Sequence, residues 1–179
     1  NTSGGSNVGI GGWSGGSASA LASNTTGSSN VGIGDGALGS NTTASYNTAI
    51  GYQSEYNNTT GINLSALGAY ALYSNTTGVS NVAVGSLALI ANTTGSYNTA
   101  VGAGVAGSTQ GALGLNSTGY NNTAVGYQAL LNNTVGNNQS AFGYQALYSS
   151  NRTSDNNAGN SAFGFQSSYR SEEHTSELQ

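Results

Sequence analysis

Side chains that could carry out chemistry are scarce in this 179-residue chain. A general base or a metal site needs His, Cys, Asp or Glu side chains that converge on one place. The sequence has no cysteine, and before residue 170 it has no histidine and only three acidic residues, Asp35, Glu55 and Asp155. The serines therefore have no histidine to act as their base. We predict no catalytic residues, no metal site, no cofactor and no enzymatic activity.

Asn-Thr-Thr triplets suggest a different chemistry. An Asn-x-Ser/Thr triplet can accept an N-linked glycan, and a row of triplets would carry a row of glycans along one edge. In the alternative, which we prefer, Asn and Thr only turn the chain. Tyrosines that recur after a glycine could stack on sugars or could simply pack. The candidate glycan acceptors are Asn24, Asn41, Asn58, Asn75 and Asn92.

The triplets belong to an internal repeat. A glycine ends each short apolar run, as in SNVGIG, YNTAIG and SNVAVG, and most successive copies are 17 residues apart. Longer steps of 23, 24 and 21 residues separate the others. A glycine at this place suits a left-handed corner that a Cβ atom would disfavour. The predicted corner glycines are Gly11, Gly34, Gly51, Gly68, Gly85, Gly102, Gly126, Gly143 and Gly164.

Residues before each glycine alternate as in a β-strand. One parity carries branched or bulky side chains, and the other carries only very small ones. Something, either another sheet or another chain, should therefore approach the small face closely. This predicted close-packed face consists of Ala49, Ala66, Ala83, Ala100, Ala124, Ala141 and Ala162, with Gly32 in an earlier copy.

The repeat predicts an all-β fold, a parallel β-solenoid or β-roll with coils of about 17 residues. We expect two strands and two corners per coil, because a second short stretch such as YQALL follows each glycine. Each thin coil buries only a few apolar side chains, which is less than the ordering of its residues requires. We therefore expect a homo-oligomer, a trimer, with the alanine face as its contact surface.

Composition limits the partners. The net charge is −4 and charged residues make up 4% of the chain, which argues against nucleic-acid binding. No run of 18 apolar residues is present, so we expect no membrane insertion by this segment. Residues 170–179, RSEEHTSELQ, resemble a translated sequencing adapter. We therefore divide the chain into a repeat domain, 1–169, and a non-native tail, 170–179.

The copies SNVAVG, YNTAIG and YNTAVG resemble the N-S-V-A-I-G-x-x-A head repeat of trimeric autotransporter adhesins. That resemblance implies a left-handed trimeric β-roll on a bacterial surface, outside the cell, that binds host matrix proteins, other cell-surface ligands or glycans. The coils here are longer than is common in that family, and stalk heptads and anchor strands are absent from the sequence. A tail-fibre segment of a phage virion is the alternative. An ice-binding solenoid is a third, although adjacent threonines in a strand would point opposite ways.

Overall fold

The structure is a computed structural model, and it describes residues 4–12, 19–150 and 159–168. Nine three-residue strands form a single parallel sheet in chain order. Each strand pairs with the next in the same register, so that Ala49 lies beside Ala66 and Ala66 beside Ala83. The strands are β1 Val8–Ile10, β2 Val31–Ile33, β3 Thr48–Ile50, β4 Ser65–Leu67, β5 Val82–Val84, β6 Thr99–Val101, β7 Thr123–Val125, β8 Ser140–Phe142 and β9 Ser161–Phe163.

This arrangement confirms the predicted parallel β-solenoid with coils of about 17 residues. The described residues contain no helix, in agreement with the high glycine and β-branched content. We number each coil by the strand that begins it, so that coil 3 is 48–64 and coil 7 is 123–139. The adapter-like tail, 170–179, lies outside the described residues.

The glycine after each strand turns the chain away from the sheet. All nine predicted corner glycines have positive φ, from 115° at Gly164 to 159° at Gly11. At Gly126, with φ 131°, an added Cβ atom would lie 2.4 Å from the carbonyl oxygen of Gly143 in the next coil. A side chain would therefore be strained by its own backbone and would also push the stacked coils apart.

The second half of each coil is not a strand, so the prediction of two strands per coil is wrong. After Gly126 the chain makes turns in which Gln128 and Leu130 have positive φ, 55° and 52°. The Ala129 N–H donates back to the Gly126 carbonyl, and the Leu130 N–H donates to Ala146 in the next coil. Backbone groups alternate between local turns and the neighbouring coil, which an extended strand cannot do.

The small face lies inside the chain. The predicted alanines are at most 5% exposed. In most coils they share one hydrophobic core with the alanines and leucines of the second half-coil. In an earlier coil, a Cβ atom on Gly32 would lie 3.3 Å from the Leu21 side chain and from the Ala37 carbonyl oxygen, so a side chain there would require its neighbours to shift. The structure thus corrects the expected oligomer contact: the chain's own leucines cover the alanine face.

Candidate interaction surface

The five predicted glycan acceptors are buried. Asn75 and Asn92 are 0% exposed, and the Asn92 Nδ2 donates to Asn75 Oδ1 at 2.9 Å and to the Gly95 carbonyl at 3.0 Å. Asn24, Asn41 and Asn58 are 2% exposed or less. The amide nitrogen that a glycan would modify is therefore enclosed in the folded chain, and the turn interpretation describes these residues instead.

A second file of buried asparagines was not recognised as structural from the sequence. The backbone N–H of Asn98 donates to Asn81 Oδ1 at 2.9 Å, while Asn81 Nδ2 donates to the Gly95 carbonyl at 2.7 Å. The signal was present, because an asparagine directly precedes the strand in most copies of the repeat. The buried members of this file are Asn30, Asn47, Asn81, Asn98 and Asn122, and Gln139 takes the corresponding place at the end of coil 7.

Threonines of the triplets divide into two files. The first threonine is bonded along the stack, as where Thr76 Oγ1 donates to the Thr93 carbonyl at 3.1 Å. The second threonine is exposed and projects from the same edge of successive coils. This edge therefore displays one threonine per coil, at Thr26, Thr43, Thr60, Thr77, Thr94 and Thr118.

The outer face of the sheet carries a continuous apolar row, which we call the outer stripe. It consists of the last residue of every strand, and the parallel register places each member beside the next. Leu67 is 51% exposed and Phe163 is 69% exposed, and the Phe142 and Phe163 rings stack at 5.0 Å. The stripe runs through Ile10, Ile33, Ile50, Leu67, Val84, Val101, Val125, Phe142 and Phe163. A contiguous apolar surface that faces water is typical of a contact site.

The recurring tyrosines pack on one another. The rings of Tyr127 and Tyr144 stack at 5.3 Å with 18° between their planes, and Phe165 continues this stack at 5.1 Å from Tyr144. In coils 3 and 4, Tyr52 meets Tyr70 edge to face at 5.3 Å. Ring faces within the stack are occupied by their neighbours, as expected for packing rather than for sugar stacking.

Acidic, histidine and cysteine side chains do not converge in the described part of the chain. No group of three or more His, Cys, Asp or Glu residues that could hold a metal ion occurs there. Glu55 is wholly buried in the interior of coil 3. Residues 4–12, 19–150 and 159–168 also include no helix of the length and apolarity needed to cross a membrane.

Comparisons of the chain with protein-family models, with curated proteins and with solved structures gave no match. The resemblance to adhesin heads therefore rests on the repeat motif itself.

Proposed function

We propose that this chain is a structural and adhesive module of an extracellular fibre, the head or shaft of a trimeric surface adhesin. The observation that carries the proposal is the outer stripe, a row of apolar side chains that continues through all nine strands of one sheet. A single chain already fills its own interior. The core is therefore complete without the side chains of the outer stripe. These side chains lie on the outside of the solenoid, where they can contact other molecules.

The outer stripe is the surface through which copies of the chain associate in this proposal. It replaces the alanine face, whose side chains are buried within one chain. Aliphatic residues such as Val84 and Val101 are partly exposed at the middle of the stripe. Packing them against equivalent rows of sister chains would remove apolar area from water at about 25 cal/mol per Å². We infer that three chains pack in this way, as in the left-handed roll that the repeat resembles.

Adhesion then comes from repetition. Successive coils offer a similar small set of exposed groups, including, in coils 1 to 6, the exposed threonine of the triplet. Several weak contacts made at once raise the overall affinity by orders of magnitude without a deep pocket. Matrix proteins, cell-surface proteins or glycans are suitable ligands for such a surface. The fibre acts outside the cell, on a bacterial surface or, in the alternative, on a phage virion.

Ice binding is less well supported. The first threonine of each triplet uses its hydroxyl within the stack, as Thr59 does toward the Thr76 carbonyl at 3.1 Å. Of the two threonine files in the described coils, only the second is exposed throughout, and a single file does not make a wide, flat array. A thermal-hysteresis measurement on the purified chain separates the two functions, because an adhesive fibre shows no ice shaping.

Retention of coated beads tests the adhesive function. Beads that carry the chain are washed over surfaces coated with matrix proteins, with glycans or with albumin. We expect retention on at least one matrix or glycan surface that exceeds retention on albumin at least tenfold. Val84→Asp in the outer stripe is the matched variant, and it should reduce retention by breaking assembly. Equal retention on all surfaces would contradict the proposal.

A further inference from the structure

A file of buried leucines runs through the interior, and coil 3 interrupts it. In coils 2, 4, 5, 7 and 8 the leucine stands four residues after the corner glycine, and in each of them its N–H donates to the next coil. Glu55 occupies this place in coil 3, with φ 50° and an N–H that donates to the Ala71 carbonyl at 2.9 Å. In coils 1, 2 and 4 to 8 this place is held by Leu21, which is partly buried, and by the buried Leu38, Leu72, Leu89, Leu113, Leu130 and Leu147, and in the terminal coil 9 it is held by Ser168.

The Glu55 side chain has no polar partner. It is 0% exposed, and neither carboxyl oxygen has a hydrogen-bond partner. Leu38 and Leu72 hold the same position in the coils on either side. The hydroxyl of the adjacent Ser54 donates to the Gly51 carbonyl at 3.1 Å, so it is directed elsewhere.

No cation faces this carboxyl from coils 2 to 4, whose residues are all described and contain no Lys, Arg or His. The other titratable side chains of these coils are partly or largely exposed, and none lies in the buried interior with Glu55. They are Asp35, Tyr46, Tyr52, Tyr56, Tyr70 and Tyr73. Burial without a counter-charge disfavours the ionised form, and it raises the pKa of the Glu55 carboxyl well above its usual value.

Two further observations place a discontinuity at coil 3. The buried apolar residues form two separate clusters, one around Ala37, Leu38 and Ala49 and one that begins at Leu64 and continues to Ala162. The file of triplet asparagines is also broken between coils 2 and 3, because Asn41 Oδ1 has no hydrogen-bond partner. Elsewhere in the file, as between Asn75 and Asn58, the corresponding oxygen accepts a bond from the next coil.

We propose that coil 3 is a proton-dependent joint in the solenoid. With a proton on the Glu55 carboxyl, the joint is closed and the stack is continuous from coil 2 to coil 4. Loss of that proton favours an open coil 3 in which the carboxylate reaches water. The segments on either side keep their own apolar clusters, so the rod gains a hinge without unfolding.

The sign of the pH dependence follows from linkage. The carboxyl has an ordinary pKa of about 4.3 in the open coil and a raised pKa in the closed coil. The closed state is therefore fully favoured below about pH 4, and opening becomes more favourable as the pH rises toward the raised value. Within that window the opening equilibrium constant increases about tenfold per pH unit.

Amide hydrogen exchange on the 179-residue chain tests the joint at matched positions. The amides of Glu55 and Asn57 donate to coil 4, and those of Leu130 and Asn132 donate in the same way to coil 8. After correction for the intrinsic exchange rate, protection at Glu55 and Asn57 should fall about tenfold per pH unit as the pH rises from about 5 toward the raised pKa of the Glu55 carboxyl. Protection at Leu130 and Asn132 should stay constant.

Two variants complete the test. Glu55→Leu restores the leucine file and should remove the pH dependence at Asn57, whereas Asp35→Asn should leave it intact. Constant protection of coil 3 in the unmodified chain would overturn the proposal. So would a pH dependence that persists in Glu55→Leu, or an equal fall at Asn57 and Asn132.

Discussion

Coils 3 and 7 have nearly the same sequence after the strand but different interiors. Both continue from the corner glycine with Tyr-Gln and reach Asn-Asn five residues after the tyrosine. Between these landmarks coil 3 has Ser54, Glu55 and Tyr56, and coil 7 has Ala129, Leu130 and Leu131. One coil therefore places a carboxyl where the other places an apolar side chain.

Their backbones nevertheless agree. Glu55 and Leu130 have φ of 50° and 52°, and their N–H groups donate to the next coil at 2.9 Å and 3.0 Å. The comparison teaches that the corner glycines and asparagine files determine the path of a coil. The interior side chains determine how firmly that coil is held.

Replacing a corner glycine should cause the largest loss of stability, and the loss should be similar in coil 3 and in coil 7. Gly51→Val and Gly126→Val each place a Cβ atom within 2.5 Å of a carbonyl oxygen in the next coil. We expect a loss of more than about 4 kcal/mol, enough to abolish cooperative urea unfolding in either variant.

Gly12→Ala is the control for this prediction, because a Cβ atom there meets nothing within 4 Å. Its stability should change by less than about 0.5 kcal/mol. A stable, cooperative Gly126→Val protein would contradict the role assigned to the corner.

Leu130→Glu should give coil 7 the weakness of coil 3. It replaces a fully buried leucine with an unpaired carboxyl, so we expect a loss of about 4 kcal/mol at neutral pH. The loss should be smaller near pH 4, where the carboxyl can keep its proton. Urea unfolding at both pH values measures it, with Leu130→Met as the size-matched control at under about 1.5 kcal/mol. Equal losses at the two pH values would show that the charge is not the cause.

Glu55→Leu is the converse change and should make coil 3 resemble coil 7. Removing an unpaired buried carboxyl and adding apolar contacts should stabilise the chain by about 3 kcal/mol at neutral pH. The gain should shrink as the pH falls toward about 4, because protonation already relieves part of the cost. A gain that is the same at every pH would argue against the raised pKa of Glu55.

The asparagine files run through most of the described coils, so the loss of one member should cost less than the changes above. Asn75→Ala removes donors to Asn58 Oδ1 and to the Gly78 carbonyl, both at 3.1 Å. The buried acceptors left behind should cost about 2 kcal/mol in urea unfolding. Thr77→Ala, on the exposed threonine file next to it, should cost less than about 0.5 kcal/mol. A similar loss of stability in the two variants would contradict the stabilising role assigned to the buried asparagines.

The sequence was enough to predict the repeat length, the parallel stacking and the corner glycines, because each depends on a local pattern that recurs. It was not enough to predict which side of the strand faces inward. Alanines such as Ala83 and Ala100 are equally consistent with a face that packs against a partner chain and with the lining of a narrow interior.

The turns of the second half-coil were also beyond prediction. Leucine and glutamine rarely adopt positive φ, yet Leu72 and Gln145 both have φ of 52°. A hydrogen bond to a neighbouring coil offsets the cost of this conformation. That bond exists only when the coils are stacked, so the sequence of one coil does not reveal it. Glu55 is one of only three acidic residues before residue 170, but its burial follows from its place in the file of leucines, which is defined by the stacking of the coils.

Sedimentation equilibrium of the purified 179-residue chain tests the central claim most directly, that the outer stripe joins copies of this solenoid. We predict a homotrimer for the unmodified chain and a folded monomer, with an unchanged circular dichroism spectrum, for Val84→Asp with Val101→Asp. An unmodified chain that stays monomeric and folded at high concentration would contradict the claim, as would a trimer that persists in the double variant.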